Sequence, residues 1–277
     1  MAKKLLALFG LKFNPFAAGV PTSALFRSSA VEEFAWRIEQ QVGEGGFALV
    51  SGDPGTGKSA SLRILAERLA NMRDVSAGVL TRPQASVADF YREMGHLFGV
   101  ALSPHNRWAG AKALREKWLA HMETALSRPV VIVDEAQEMN ATVLSELRLL
   151  SAAELDSQSI LTVVLAGDAR LVERLGTPEL LPVGSRIRAR LRLEYAPPDL
   201  LRECLAHLMR QAGNPKLMTP ELVAALAEHA AGNYRTMTNM AGDLLAAAAR
   251  RELDRLDEAL FLETFALEAP PAKRRRA

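Results

Sequence analysis

The spacing of apolar residues divides the chain into two kinds of sequence. Up to about residue 196, short apolar runs stand between helical patterns: Phe47-Ala-Leu-Val50, Val75–Leu80, Val130-Val-Ile-Val133 and Ile160–Leu165. Runs of this length, apolar on both faces, suit the buried strands of a parallel sheet. Between them the spacing changes to three and four. Ala30, Val31, Phe34, Ala35, Ile38 and Val42 mark one helix, and Leu62, Leu65, Ala66 and Leu69 another. Further helices are expected to run from a capping signal at Ser86 to about Phe98, over 111–126 and over 140–153, with an irregular stretch at 99–112. Strand and helix in alternation predict an α/β fold, a parallel sheet flanked by helices. Beyond Pro197-Pro198 the pattern is wholly helical, with helices expected at about 199–212, 219–231, 233–250 and 255–266. Thr219-Pro220 is a helix start with proline at the first position.

Four regions are expected: an arm at 1–29, the α/β domain at 30–196, a small helical domain at 197–267 and a basic tail at 268–277. The formal net charge of +2 includes Lys273, Arg274, Arg275 and Arg276; without them the chain carries about −2. Bulk charge therefore does not make the body a nucleic-acid binder, and any such contact needs a local patch or the tail. The single cysteine, Cys204, permits no internal disulfide and is read as an apolar filler in a reducing compartment. His96, His105, His121, His207 and His229 lack metal-ligand spacing, so no zinc site is expected. No apolar run reaches membrane-spanning length. The first ten residues imitate a signal peptide until Lys12 and Asn14-Pro15 interrupt them; the expectation is a folded, cytoplasmic protein without a membrane partner.

The chemistry is concentrated in two segments. The run Phe47–Ser51 leads into Gly52-Asp53-Pro54-Gly55-Thr56-Gly57-Lys58-Ser59, with Ala60 opening the helical pattern that follows. Gly52, Gly55 and Gly57 let successive backbone N–H groups converge on one anion, and the helix adds its positive end. Lys58 would reach the β- and γ-phosphates of a nucleoside triphosphate, and the Ser59 hydroxyl would ligate Mg2+. The second segment, Pro129-Val-Val-Ile-Val-Asp134-Glu135-Ala-Gln137, ends a buried strand in two carboxylates. Their burial is expected to be costly unless they serve a cation. Asp134 would hold Mg2+ through water, and Glu135 would polarise the water that attacks the γ-phosphate.

Other positions keep two readings. Asp168 stands at a strand tip, where it would orient the water or sense the γ-phosphate; it would equally cap the helix starting at Ala169. In strand conformation Arg186, Arg188, Arg190 and Arg192 share one face, as solvated residues of an edge strand or as a subunit boundary. At such a boundary one guanidinium would meet a neighbour's γ-phosphate. Arg235 opens a helix of the C-terminal region, where it would form surface salt bridges or reach the phosphates from a lid.

With these residues in place the chain resembles an AAA+ ATPase. Gly52–Ser59 resembles the Walker A motif and Val130–Glu135 the Walker B motif. Ser185-Arg-Ile187 is similar to the box carrying the arginine finger, and Gly232-Asn-Tyr-Arg235 to sensor 2. Phe9–Phe16, Asp134-Glu-Ala-Gln137 and Leu165–Leu171 are similar to the ExeA-like group, close to the transposition-helper ATPases of the Mu B, TnsC, TniB and IstB kind. The pattern departs at Asp168, where sensor 1 commonly has glutamine, and at Tyr234, where proline commonly precedes the sensor-2 arginine.

The resemblance implies a P-loop NTPase sheet domain with a helical lid, with ATP and Mg2+ as cofactors. It implies an arm near the adenine, and a ring or filament of copies. It also places DNA contacts in the 99–112 stretch, at Arg107, Trp108 and Lys112. The expected function is an ATP-hydrolysing protein that oligomerises on duplex DNA to assist a transposase or integrase-like recombinase. Rival expectations are a nucleotide-dependent switch docking a protein without DNA, and a secretion-type ExeA ATPase. The membrane segment and cell-wall-binding region of the secretion ATPase have no counterpart in this sequence, which favours the transposon-type relatives.

Overall fold

A computed structural model describes residues 2–80, 86–101, 107–153 and 158–265, with side chains from Leu5 onward. The basic tail and positions 102–106 of the 99–112 stretch lie outside the described residues. The chain divides into two compact units, one formed by 27–194 and the other by 1–26 together with 195–277.

In the first unit the β-branched runs form a five-stranded sheet: β1 (Gly46–Gly52), β2 (Val75–Leu80), β3 (Arg128–Val133), β6 (Thr162–Gly167) and β7 (Ile187–Leu193). The spatial order is β2-β3-β6-β1-β7, and every pairing is parallel. The central strands β3 and β6 are buried almost throughout because helices cover both faces. Helices α2 (Ser29–Gln41) and α3 (Lys58–Ala70) pack on one side. The other side carries α4 (Val87–Phe98), α5 (Arg107–Thr124), α6 (Ala141–Ser151), α7 (Ala169–Leu175) and α8 (Leu181–Gly184). There Phe47, Leu49, Val131, Val133, Val163 and Leu165 join Phe90, Met94, Leu114 and Trp118 in one cluster. A short antiparallel pair, β4 (Ala152–Ala153) with β5 (Gln158–Ser159), was not legible in the sequence.

Three differences from the sequence expectation have physical causes. Helix α5 starts at Arg107, so Arg107–Lys112 are helical rather than irregular; Gly110 sits there because a Cβ would lie 3.1 Å from the Tyr91 ring. Arg186 stands outside β7, in the turn after α8, with its N–H donating to Val183 O at 3.0 Å. The face shared by Arg188, Arg190 and Arg192 is exposed while Ala189 and Leu191 are buried, as expected of an edge strand. Finally, the acidic pair is not buried: Asp134 is half-buried and Glu135 exposed, since the chain leaves the sheet at Val133.

The second unit is helical, built from α9 (Pro198–Ala212), α10 (Pro220–His229), α11 (Tyr234–Arg251) and α12 (Glu258–Phe265) with α1 (Ala2–Phe9). Leu201, Leu205, Leu222, Leu226, Leu244 and Leu245 fill its core, and Phe9 and Leu11 of the arm are buried among them. The arm is tied there by backbone: Lys12 N–H donates to Ala212 O, and Asn214 Nδ2 donates to Phe9 O, each at 2.8 Å. Burial pushes the Cys204 thiol up to about 12, which leaves it a neutral apolar filler. Among the described residues no helix is long and apolar enough to cross a membrane.

Candidate nucleotide site

The end of β1 turns back on itself through residues with unusual backbone. Gly55 and Gly57 have φ of +88° and +100°, in the left-handed region that glycine enters without strain. Gly52 answers a different need, since a Cβ there would stand 2.5 Å from Leu193 O of β7. Thr56 is buried and donates through Oγ1 to Asp53 O at 2.8 Å, closing the loop on itself. Gly57 is the N-cap of α3 and contributes no side chain, so the opening N–H groups of the helix are left to an anion. Lys58 is 7% exposed and donates through Nζ to Gly52 O at 2.7 Å and Asp53 O at 3.1 Å. Its charge thus lies inside the loop. Asp53 and Pro54 are exposed at the rim, and Ala60 is half-buried in the first turn of α3.

The two motifs, separate in sequence, meet here. Ser59 Oγ donates to Asp134 Oδ2 at 3.3 Å. A hydroxyl and a carboxylate oxygen converging beside a phosphate loop suit Mg2+, which takes one or two protein oxygens and fills its octahedron with water and phosphate. Among the described residues no cluster of three or more His, Cys, Asp or Glu offers a fuller protein cage.

Glu135 is held in an uncommon backbone state for a non-glycine residue, φ +52°. Its Oε2 accepts a hydrogen bond from Nε2 of Gln137, a side chain only 6% exposed. Gln137 Oε1 in turn accepts the Asp168 N–H at 3.4 Å. Below them Arg174 of α7 donates to the carbonyls of Gln137 and Met139. Gln137 appeared in the sequence only as part of the Asp-Glu-Ala-Gln run; its contact to Asp168 crosses from the end of β3 to the end of β6 and has no local signal.

Asp168 caps α7, accepting the Arg170 N–H at 2.9 Å, and pairs with the Arg170 guanidinium at 2.8 Å. That hydrogen-bonded guanidinium holds its carboxyl below the usual carboxylate range, with Lys58 adding a smaller pull. Arg186 lies at the opposite end of the sheet. Phe47, the second residue of β1, pairs with Ile187, whereas the loop follows Gly52. At about 3.3 Å per residue the separation is roughly 20 Å. Arg186 donates to Pro182 O and lines a cleft of about 550 Å³ with Arg128, Arg188, Ser151, Ser159 and Ser185. Arg235 is exposed in the first turn of α11, in the helical unit, where Asn233 caps the helix.

The proposed DNA contacts fare unequally. Arg107 is committed to Glu146, a carboxylate 3% exposed that also accepts the Tyr91 hydroxyl at 2.7 Å. Burial, then that hydrogen bond, raises the Tyr91 pKa. Trp108 is 73% exposed, and Lys112 lies 5.4 Å from its ring centroid.

A parallel sheet with this loop, this serine–aspartate pair and a glutamate at the next position defines a P-loop nucleoside triphosphatase. Residues 40–175 match the family model described as AAA domain, and the chain is similar to the AAA+ ATPases of the ExeA-like kind. Sites of that family take ATP with Mg2+, a pair that this loop and the Ser59–Asp134 contact fit. It is 33% identical over 190 residues to general secretion pathway protein A of Aeromonas hydrophila, a match covering 67% of this chain and 34% of that protein. The chain thus spans about a third of the length of this curated relative. Among solved structures it is similar to the Aeropyrum pernix ORC2 protein in ADPNP–ADP complexes. There the TM-score is 0.72 and the identity 16%, over 93% of this chain and 72% of that one. Drosophila ORC bound to DNA gives 0.68 and 20%, over 94% and 65% respectively. At these identities the likeness to the solved structures is one of fold.

Proposed function

We propose that this AAA+ ATPase works as an assembly of copies, a ring or filament, in which each catalytic site is completed by the neighbour. The observation that carries this reading is the position of Arg186, at the end of the sheet remote from its own phosphate loop. An arginine finger must touch the γ-phosphate, so Arg186 serves the site of the next copy. Within one site Gly52–Ala60 cradles the triphosphate and Lys58 swings onto the β- and γ-phosphates. Ser59 would hold Mg2+ directly and Asp134 through water, and the ion would neutralise phosphate charge. Glu135 draws a proton from water as the water oxygen bonds to the γ-phosphorus and the bond to the bridging oxygen breaks. Changing Glu135→Gln removes the base: hydrolysis falls below detection while Mg2+-dependent ATP affinity persists. Hydrolysis at the parental rate would reject Glu135 as the base.

The work done by this cycle, in our reading, is assistance to a transposase or integrase-like recombinase on duplex DNA in the cytoplasm. Support comes from the exposed Trp108–Lys112 pair on α5 and from the fold shared with ORC, whose Drosophila form was solved bound to DNA. Gel filtration and duplex-DNA binding with ATP, ADP or no nucleotide test it. Assembly on DNA only with ATP, weakening steeply with salt, is the expected result. Failure to bind DNA in every nucleotide state leaves a protein-docking switch as the reading. A secretion role is favoured by the 33% identity to a secretion-pathway protein, and co-sedimentation with the cell envelope would support it instead.

A further inference from the structure

We infer that Gln137 is a positioning residue for hydrolysis, holding the Glu135 carboxylate through one end of its amide while its other end is fixed by the tip of β6. The inference deepens the proposed site and rests on Glu135 being the base. Gln137 is a buried polar side chain with both amide atoms engaged, Nε2 to Glu135 Oε2 and Oε1 to the Asp168 N–H. A glutamine buried for packing alone would be a poor choice, because an unpaired amide in the interior is costly and leucine fills similar space. Its surroundings fix it from three sides. Gly167 makes room for it, since a Cβ at that position would lie 2.5 Å from Gln137 Oε1. Arg174 grips its carbonyl and that of Met139. Arg170 joins Asp168 and Glu138 at 2.8 and 2.7 Å, so α7 and the turn after β3 are cross-linked by charge.

Glu135 needs such a partner. It is exposed, and its φ of +52° comes from a turn rather than from a regular element. A free carboxylate at that point would sample several rotamers, and a general base works only when aimed at the water it deprotonates. The amide of Gln137 removes that freedom without adding charge. Because its opposite end rests on the residue next to Gly167, any shift of the β6 tip is passed to the carboxylate. Glu135 and Asp168 are 33 positions apart in sequence, yet one side chain touches both.

The two ends of the amide are separated by substitution. Gln137→Glu keeps an acceptor for the Asp168 N–H but loses the donor to Glu135; Gln137→Met keeps the length and loses both. Single-turnover hydrolysis is followed in the full chain, with ATP affinity measured on the same samples. Both variants are expected to slow hydrolysis by about 10- to 100-fold, the usual effect of removing a partner that orients a ligand or base, with ATP affinity within about twofold of the parent. If Gln137→Glu hydrolyses at the parental rate while Gln137→Met is slow, the amide serves only the β6 tip and the inference is overturned. Parental rates in both variants, beside an inactive Glu135→Gln, overturn the inference and leave the base standing. Parental hydrolysis by Glu135→Gln rejects the base and the inference together. Should Gln137→Met fail to fold, the isosteric Gln137→Glu alone decides.

Discussion

The two ends of the β1–β7 ribbon are built on opposite plans. Where β1 ends, glycines and a lysine fold inward, and every polar group of the loop that is buried is engaged by the loop itself: Thr56 by Asp53 O, Lys58 by Gly52 O and Asp53 O. Where β1 begins, arginines project outward around an open cleft, Arg188 reaching Glu44 at 2.9 Å across exposed surface and Arg186 resting on Pro182 O. One end is preorganised to receive a small anion. The other offers cations on a wall that its own chain leaves open. On the proposed reading, a subunit whose two halves lie so far apart hydrolyses ATP only beside a neighbour.

The sharpest way to break this comparison is Arg186→Ala. If the guanidinium serves a neighbour's γ-phosphate, turnover in the assembled state falls by ~10³–10⁵. Mixing decides where the arginine acts. Lys58→Ala subunits lack the phosphate grip but keep Arg186, whereas Arg186→Ala subunits have the reverse, so a mixture of two inactive variants regains part of the parental rate. No recovery on mixing at any ratio, with assembly intact, would place both residues in one and the same subunit's site.

A smaller effect comes from the floor of the catalytic end. Gly167→Ala drives a methyl toward Gln137 Oε1 and Leu171, and overpacking of this kind costs about 1–3 kcal/mol. The melting temperature should fall, and hydrolysis should slow as the Gln137 amide is displaced. An unchanged melt would mean that β6 and α7 yield at no cost, contrary to the close contacts there.

Next in size is a test of which cations hold structure. Arg107→Ala leaves the buried Glu146 with the Tyr91 hydroxyl alone. Removing a hydrogen bond to a charged group costs about 1.5–3 kcal/mol, less here because Arg107 is itself 58% exposed. Lys112→Ala should stay within about 0.5 kcal/mol, since its partner Glu116 is solvated. Chemical denaturation of the two variants separates the roles that the sequence reading had placed side by side.

How much of this was written in the chain depends on the range of the interaction. The phosphate loop was legible because its signals are local: glycines whose φ the turn requires, and an apolar run feeding a helical one. The caps at Ser86 and Thr219 were read for the same reason, each accepting an N–H three residues on. The start of α5 was missed because Arg-Trp-Ala-Gly-Ala-Lys has no apolar period and a glycine at its centre; only the Tyr91 ring explains Gly110. Gln137 was invisible as an actor, since its contact to Asp168 depends on β3 lying beside β6 and its contact to Glu135 on the turn in which Glu135 takes a positive φ. The exposure of Glu135 also needed the structure, because a run of four β-branched residues does not say where the chain leaves the sheet.

Asp168 gives the smallest effect and divides the two readings the sequence left open. As the cap of α7 it is replaceable by asparagine, which caps equally well, but not by alanine, which costs about 1 kcal/mol. What asparagine lacks is the charge that pairs with Arg170, an exposed partner worth about 0–1 kcal/mol. Because the guanidinium depresses the folded-state pKa of Asp168 below its ordinary value, the carboxylate's contribution is present above the unfolded pKa. It is lost as pH falls through the folded one. The melting temperature of Asp168→Asn should therefore lie slightly below that of the parent at pH 7, and the gap should close below about pH 4. A gap that persisted at pH 2 would show that the amide disturbs the cap itself. A loss of single-turnover hydrolysis at pH 7 far beyond so small a change in stability would mean that the carboxylate faces the γ-phosphate as well as the helix.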